Sequence, residues 1–326
     1  MSVTKPLDIK LMILMPVYND WQALSLLLPI LELELKTAGL RTGLFLVDDG
    51  STVKLPHSLA KIALPSIESI DVLTLRRNLG HQRAIAVGLS YIEANYPNRS
   101  VVIMDADGED CPRDVPRLVH ECLAHDNEKI VFAARTRRSE GLIFTFYYHL
   151  YRFIHLLLTG IPVRVGNFSI VPTDTLKRLV AVSELWNHYA AAVHKAKLPM
   201  ALIPTERSER LQGTAHMDLV SLVVHGLSAM AVFGDRIGVR LLILVSLGML
   251  VAVGGMVGVA TIRLTTDLAI PGWATYVSGL LLVILMQMLL VILVFVFVIL
   301  GARNAVNVIP NRDYVHIMDG VQRIYG

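Results

Sequence analysis

The chain has 326 residues, a net charge of +3, 54% hydrophobic residues and only 17% charged ones, with a mean hydropathy of +0.55. That balance is too apolar for an ordinary water-soluble protein, and so small a net charge gives no reason to expect a nucleic-acid partner. Its two cysteines, Cys111 and Cys122, exclude a disulfide framework and match no metal-site spacing.

In chain order, five short apolar runs come first: "IKLMILMPV" from Ile9, "GLFLVDDG" from Gly43, "DVLTL" from Asp71, "SVVIMDAD" from Ser100 and "KIVFAAR" from Lys129. Amphipathic stretches near Trp21–Thr37, His81–Asn95, Arg113–His125 and Leu142–Leu158 predict helices between and after them. Short buried strands alternating with helices predict a mostly parallel, Rossmann-like α/β sheet. Beyond Pro172, "TDTLKRLVAVSELWNHYAAAVHKA" reads as one or two helices, and "MALIPT" as a last strand. His188 and His194 in that stretch do not share a helical face, which favours packing over metal binding.

The C-terminal part changes character. "HMDLVSLVVHGLSAMAVFGDR" predicts an interfacial helix. Val239–Ile262 carries one charge, Arg240, and Trp273–Leu300 carries none. Each exceeds the roughly 20 residues needed to cross a hydrocarbon core. Gly254 and Gly258 form a G-x-x-x-G, a candidate helix seam. No signal peptide is read in the first apolar stretch. Arg236 and Arg240 precede the first span, and Arg303 and Arg312 follow the second. The positive-inside rule then predicts an inner-membrane, multi-pass protein with its N-terminal domain and both termini in the cytoplasm. The expected layout is a cytoplasmic domain over 1–212, interfacial helices over 213–238, two membrane helices over 239–301 and a cytoplasmic tail over 302–326.

Where the fourth strand should end, Asp105, Asp107, Glu109 and Asp110 stand within six positions. Like charges this close repel. Either they form a solvated turn capping the next helix, or a hard cation such as Mg²⁺ or Mn²⁺ neutralises them and bridges them to a diphosphate. Other strand ends are also polar, at Asn19–Asp20 and Asp48–Asp49, and open α/β sheets bind ligands outside the carboxyl ends of their strands. Arg135, Arg137 and Arg138, and later Arg207 and Arg210, offer forked donors suited to phosphate oxygens.

"PVYND" (Pro16–Asp20), "VDDGS" (Val47–Ser51), "RRNLGHQRAIAVGL" (Arg76–Leu89) and "MDADGED" (Met104–Asp110) occur in this order, each at a strand end. Together they resemble the membrane-attached inverting glycosyltransferases of the GT-A fold. That branch includes dolichyl-phosphate mannose synthase, bactoprenol glucosyltransferase and the undecaprenyl-phosphate aminoarabinose transferase. The resemblance implies nucleotide contacts from Pro16, Tyr18, Asp20, Asp48, Asp49, Asn78, Gly80, Asp105 and Ala106, with His81 in the same loop. Asp20 stands where Glu is usual. Metal ligands would be Asp105, Asp107 and Glu109, the last in place of a Gln. Catalytic candidates are Asp107, Asp110, Arg135, Arg207 and Asn167, and Arg137, Arg138 and Arg210 would hold the acceptor phosphate.

Asn167, in "GIPVRVGNFSIVP", stands where the resemblance expects an Asp that could act as base. A lipid phosphate is already ionised and needs little base catalysis. A hydroxyl acceptor would need a base, with Asp110 the candidate. The implied activity is inverting transfer of a sugar from a UDP- or GDP-linked donor to a membrane lipid, a polyprenyl phosphate, with Mg²⁺ or Mn²⁺. Members form tetramers, which makes a homo-oligomer a further expectation. The rivals are a hydroxyl acceptor, a processive polysaccharide synthase and a non-catalytic membrane scaffold. The processive reading lacks a Q-x-x-R-W-type motif, and the scaffold reading leaves the acidic turn and the basic clusters without a use.

Overall fold

The computed structural model describes residues 9–56, 59, 62–135, 152–161, 165–206, 208–212, 219–266, 272–304 and 307–326. The chain divides into two compact units, one built from 1–149, 163–232 and 307–326 and the other from 150–162 and 233–306.

The first unit is a mixed α/β sheet covered on both faces. Its elements run β1 (Leu11–Val17), α1 (Trp21–Ala38), β2 (Thr42–Asp48), β3 (Ile67–Leu75), α2 (His81–Asn95), β4 (Ser100–Ile103), α3 (Asp114–Ala124) and β5 (Ile130–Arg135). The short helix α4 (152–159) belongs to the second unit. The first unit resumes with β6 (Ser169–Val171), α5 (Thr173–Leu179), a 3₁₀ turn at Ser183–Trp186, α6 (Tyr189–Lys195), β7 (Met200–Thr205) and α7 (Leu219–Ala231). The sheet order is β7-β5-β6-β4-β1-β2-β3-β8, where β8 is Met318–Tyr325. The pairs β1–β2, β1–β4, β2–β3 and β5–β7 are parallel, whereas β6 and β8 run antiparallel to their neighbours.

β1 shows why its sequence is apolar throughout. Leu11, Ile13 and Met15 enter one core layer with α1 and α3, and Met12 and Leu14 enter the other with α2. A strand buried on both faces has no polar side to alternate with. Gly88 lets α2 lie close to the sheet, because a Cβ there would sit 2.5 Å from Leu14 Cδ1.

All six expected strands form, as β1 to β5 and β7. The one or two helices expected after Pro172 form as α5 and α6, with the 3₁₀ turn between them. His188 is buried and accepts the Ala191 N–H at the start of α6 (3.4 Å), a capping role. The predicted helix over Leu142–Leu158 lies mostly outside the described residues.

The segment expected as a tail, 302–326, is corrected by the sheet. β8 (Met318–Tyr325) pairs antiparallel with β3. Asp71, 2% exposed, anchors it by accepting Arg323 Nε (2.8 Å) and Nη2 (3.2 Å) and the Tyr96 hydroxyl (2.8 Å). Burial first, and Asp71 next, push the Tyr96 phenol up to about 12.

The second unit holds α8 (Gly234–Thr265) and α9 (Trp273–Asn304), both long and apolar enough to cross a membrane. In α8 only Gly238, Ala252 and Val259 are buried among the described residues, unlike a core helix of a soluble protein. α8 begins earlier than the expected span, so Asp235 and Arg236 belong to its first turns, and the expected interfacial stretch narrows to α7. The seam between α8 and α9 does not use Gly254 and Gly258, which have open space where a Cβ would go. Gly238, Gly248 and Gly255 meet Ile299, Met288 and Leu281 instead.

Candidate active site

Four strand-end turns meet above the carboxyl ends of β1, β2, β3 and β4. Asn19, in the left-handed region at φ 59°, ties the first turn to the second. Its Oδ1 accepts the N–H groups of Thr52 (2.9 Å) and Val53 (3.0 Å), and its own N–H donates to Ser51 Oγ (3.0 Å). Pro16 is a buried strand residue in register with Val47 and supports the turn from below, whereas Tyr18 is 39% exposed at the tip.

Asp48 accepts the Ser51 N–H (2.9 Å). Asp49 is 3% exposed and accepts two backbone N–H groups, from Leu79 (2.7 Å) and Gly80 (2.9 Å). The approach needs Gly50 at φ +70°, because a Cβ there would lie 2.6 Å from the Asn78 nitrogen. Asn78 itself is exposed. The loop with Asn78, Gly80 and His81 is thus latched to the second strand by a carboxylate.

The acidic turn is equally organised. The Asp105 N–H donates to Asp110 Oδ2 (3.0 Å), and the Glu109 N–H donates to Asp107 Oδ1 (3.0 Å). Asp110 is 3% exposed and braces the turn from inside, as Ala106, also buried, packs below it. Gly108, at φ +86°, lies under Leu211, whose Cγ would be 2.5 Å from a Cβ. Residues 208–212 cross the turn, with the N–H of Ser208 on the Glu109 carbonyl and that of Leu211 on the Asp107 carbonyl (both 3.0 Å). Arg210 then bridges two strand ends, Nη1 to Asp107 Oδ2 (3.2 Å) and Nη2 to Asp20 Oδ1 (2.5 Å).

On the other flank, a relay runs from the backbone into the cleft. The Tyr189 N–H donates to Gln82 Oε1 (2.8 Å), which leaves the Gln82 amide nitrogen to donate to Asn167 Oδ1 (3.0 Å). The Asn167 amide nitrogen is thereby turned toward His81 Nε2 (3.0 Å). His81 Nε2 also stands 3.3 Å from Asp105 Oδ1, and the His81 side chain is 39% exposed. Surrounding protein lowers the His81 pKa by desolvation, while Asp110, Asp107 and Asp49 pull it upward. The Asn167 amide donor calls for a lone pair on His81 Nε2, whereas Asp105 Oδ1 calls for a proton there, so the two neighbours compete for one nitrogen.

The structure therefore brings Asp20, Asp48, Asp49, Gly80, His81, Asp105, Asp107, Glu109, Asn167 and Arg210 to one end of the sheet. Arg137, Arg138 and Arg207 lie outside the described residues, and Arg135 is described only as the backbone end of β5. Gln82 went unread in the sequence because its role depends on Asn167, 85 residues away.

Residues 12–180, more than half of the chain, match the model of "Glycosyl transferase family 2". The chain belongs to glycosyl transferase family 2. It has a GT-A fold followed by two long apolar helices. Among curated proteins it is 30% identical over 142 residues to undecaprenyl-phosphate 4-deoxy-4-formamido-L-arabinose transferases of Yersinia pestis (strain Pestoides F) and Yersinia pseudotuberculosis (serotype O:3, strain YPIII). Those matches cover 44% of this chain and 41% of each relative, less than half of their length. Mannosyl-3-phosphoglycerate synthase from Rubrobacter xylanophilus superposes with a TM-score of 0.50 at 16% identity, over 70% of this chain and 74% of that one. At that identity the likeness speaks for the fold.

Family 2 membership raises the question of a metal. Among the described residues no three His, Cys, Asp or Glu side chains form a ready-made metal cage. The acidic turn nevertheless draws a cation, since the Arg210 guanidinium sits against Asp107. Mg²⁺ is commonly held by one or two carboxylates plus substrate phosphates rather than by a protein cage. The hard oxygen donors at the β4 tip fit an ion of that kind.

Proposed function

We propose that this family 2 enzyme moves a sugar, with inversion, from a UDP- or GDP-linked donor to a polyprenyl phosphate in the membrane. The observation that carries this reading is the junction at the β4 tip. There the acidic turn and the Arg210 guanidinium face one another beside the loop latched by Asp49.

Pro16, Tyr18, Asp20, Asp48, Asp49, Asn78, Gly80, Asp105 and Ala106 form the nucleotide side of the site. Asp105, Asp107 and Glu109 would hold Mg²⁺ or Mn²⁺. When bound, the ion would offset charge on the diphosphate as the glycosidic bond breaks. Arg210 is expected from the sequence on the acceptor phosphate, but its contact with Asp107 supports a role on the leaving group instead, with Arg135 and Arg207, through forked hydrogen bonds, while Arg137 and Arg138 serve the acceptor phosphate.

Asn167 supports a phosphate nucleophile. Its carbonyl is occupied by Gln82 and its amide donor faces His81, so this position supplies a hydrogen bond and accepts no proton. An ionised phosphate oxygen attacks without losing a proton to a base. Asp110 is committed to the Asp105 N–H, which suits bracing better than proton abstraction.

Membrane attachment is supported by α8 and α9 and by the undecaprenyl phosphate in the names of the Yersinia relatives. The domain layout is 1–212 for the catalytic part, except that 150–162 group with α8 and α9, then α7 as an interfacial helix and two spans within 234–304, with 307–326 returning to the catalytic sheet. The sheet resumes as β8 after α9, which supports an even number of crossings with both flanks on one side. The arginines at 236, 240, 303 and 312 favour the cytoplasmic side.

The test is incubation of the purified full-length chain with labelled UDP- and GDP-sugars, undecaprenyl phosphate and Mn²⁺ or Mg²⁺. Label is expected in the lipid fraction with the phosphate acceptor. Transfer only to undecaprenol would overturn the phosphate nucleophile, and no transfer to any lipid would overturn the lipid acceptor.

A further inference from the structure

We propose that Arg210 is an exchangeable counter-cation, holding the metal position and the Asp20 position shut together until a metal–nucleotide complex displaces it. This rests on the reading of Asp107 as a metal ligand given above.

The geometry is specific. One guanidinium spans carboxylates from two different strand ends, Asp20 after β1 and Asp107 after β4, with the Arg210, Asp20 and Asp107 side chains only 15%, 21% and 13% exposed. The segment that carries it is fixed by its own backbone. Ser208 and Leu211 donate to the carbonyls of Glu109 and Asp107, Arg210 Nε donates to the Gln212 carbonyl (3.0 Å), and the Gln212 amide reaches Gln22 Oε1 (2.9 Å). The segment is therefore docked on the acidic turn by hydrogen bonds of its own.

A divalent ion on Asp107 and a guanidinium on the same carboxylate repel each other and compete for the same lone pairs. Free metal must therefore displace Arg210 and leave it no phosphate in return. A metal–diphosphate complex differs, because its phosphate oxygens offer the guanidinium a bidentate partner. The ion takes Asp107, Arg210 moves to phosphate, and Asp20 is released to the nucleotide in the same exchange. No covalent bond is made or broken; the two ion pairs of Arg210 give way to an ion–Asp107 contact and an Arg210–phosphate pair. Metal and nucleotide then raise each other's affinity, and by linkage they do so equally.

The experiment is Mn²⁺ titration of the purified full-length chain, by calorimetry or water-proton relaxation, with and without UDP or GDP. In the wild type, nucleoside diphosphate is expected to tighten Mn²⁺ at least about tenfold. Arg210→Gln is expected to bind Mn²⁺ alone about fivefold more tightly and to cut the nucleotide effect below about threefold. Arg210→Lys, which keeps the charge, stays near wild type for Mn²⁺ alone. Asp20→Asn removes one anchor of Arg210 without touching Asp107, and is expected to tighten Mn²⁺ alone about twofold. It decides the matter if Arg210→Gln does not fold.

Mn²⁺ binding that Arg210→Gln leaves unchanged or weakens would overturn the exchange, and so would an unchanged Asp20→Asn. Absence of Mn²⁺ binding in every protein, with either nucleotide, would overturn the metal reading itself and this exchange with it.

Discussion

Asp49 and Asp107 stand at the tips of the two strands that flank β1, and they are neutralised in opposite ways. Asp49 is sealed by N–H groups of the chain's own backbone, at Leu79 and Gly80. Those dipoles are fixed by a turn that Gly50 alone permits at φ +70°. Asp107 meets a side chain 103 residues away in sequence, at the end of a long flexible arm. A backbone amide cannot leave its carboxylate without unfolding the turn, whereas a guanidinium can exchange one anion for another. The first arrangement holds architecture and the second leaves charge available to a ligand.

The largest expected effect tests the exchangeable side. Asp107→Asn keeps the shape and removes the charge. Sugar transfer is expected to fall roughly 10²–10³-fold, the scale of losing one electrostatic contact to a transition state. Thermal unfolding should move by no more than a few degrees. A variant that keeps its activity and loses stability would invert the comparison.

Asp49→Ala probes the fixed side and should do the reverse. It strands two buried N–H groups, each costing about 1–3 kcal/mol when left without an acceptor. A loss of about 3 kcal/mol is expected in chemical denaturation, with nucleotide affinity falling only as the Asn78–His81 loop loosens. Full stability with abolished binding would mean that Asp49 touches the nucleotide directly.

The two tips were not equally readable in the sequence. The strands that carry them are uninterrupted apolar runs, and a run buried on both faces announces itself by composition. β6 has only three residues, and β8 reads "MDGVQRIY", polar enough to pass for a tail. β8 joins the sheet because Arg323 meets Asp71, 252 residues earlier, and no local pattern records such a pairing. The same limit applies at the site. Asp105, Asp107 and Arg210 could be picked out by residue type, but not that Arg210 would bind Asp20 as well, since that depends on where residues 208–212 cross the turn. Asn167 was visible as a departure, while its orientation came from Gln82 and the Tyr189 backbone. Residue chemistry is local information, and charge compensation is tertiary.

The smallest expected effect sharpens the comparison through pH. Burial is the largest influence on the Asp49 carboxyl and pushes its pKa above the ordinary value. The N–H groups of Leu79 and Gly80 and the charge of His81 pull it down, and Asp48 adds to the rise. A folded state that holds its proton more tightly than the unfolded chain is favoured on the acid side. That contribution is complete below the unfolded value of about 3.9 and is lost as pH rises through the folded value. Asp49→Asn abolishes this titration and keeps one carbonyl acceptor. The stability of wild type relative to Asp49→Asn, from urea unfolding in detergent, should therefore decline as pH rises from about 4, by at most about 1.4 kcal/mol per unit, and level off once Asp49 is ionised. A difference that grows with pH would mean that the two backbone donors outweigh burial. Asp49 would then be a stabilised anion sealed by the chain, and the contrast with Asp107 would rest on exchangeability alone.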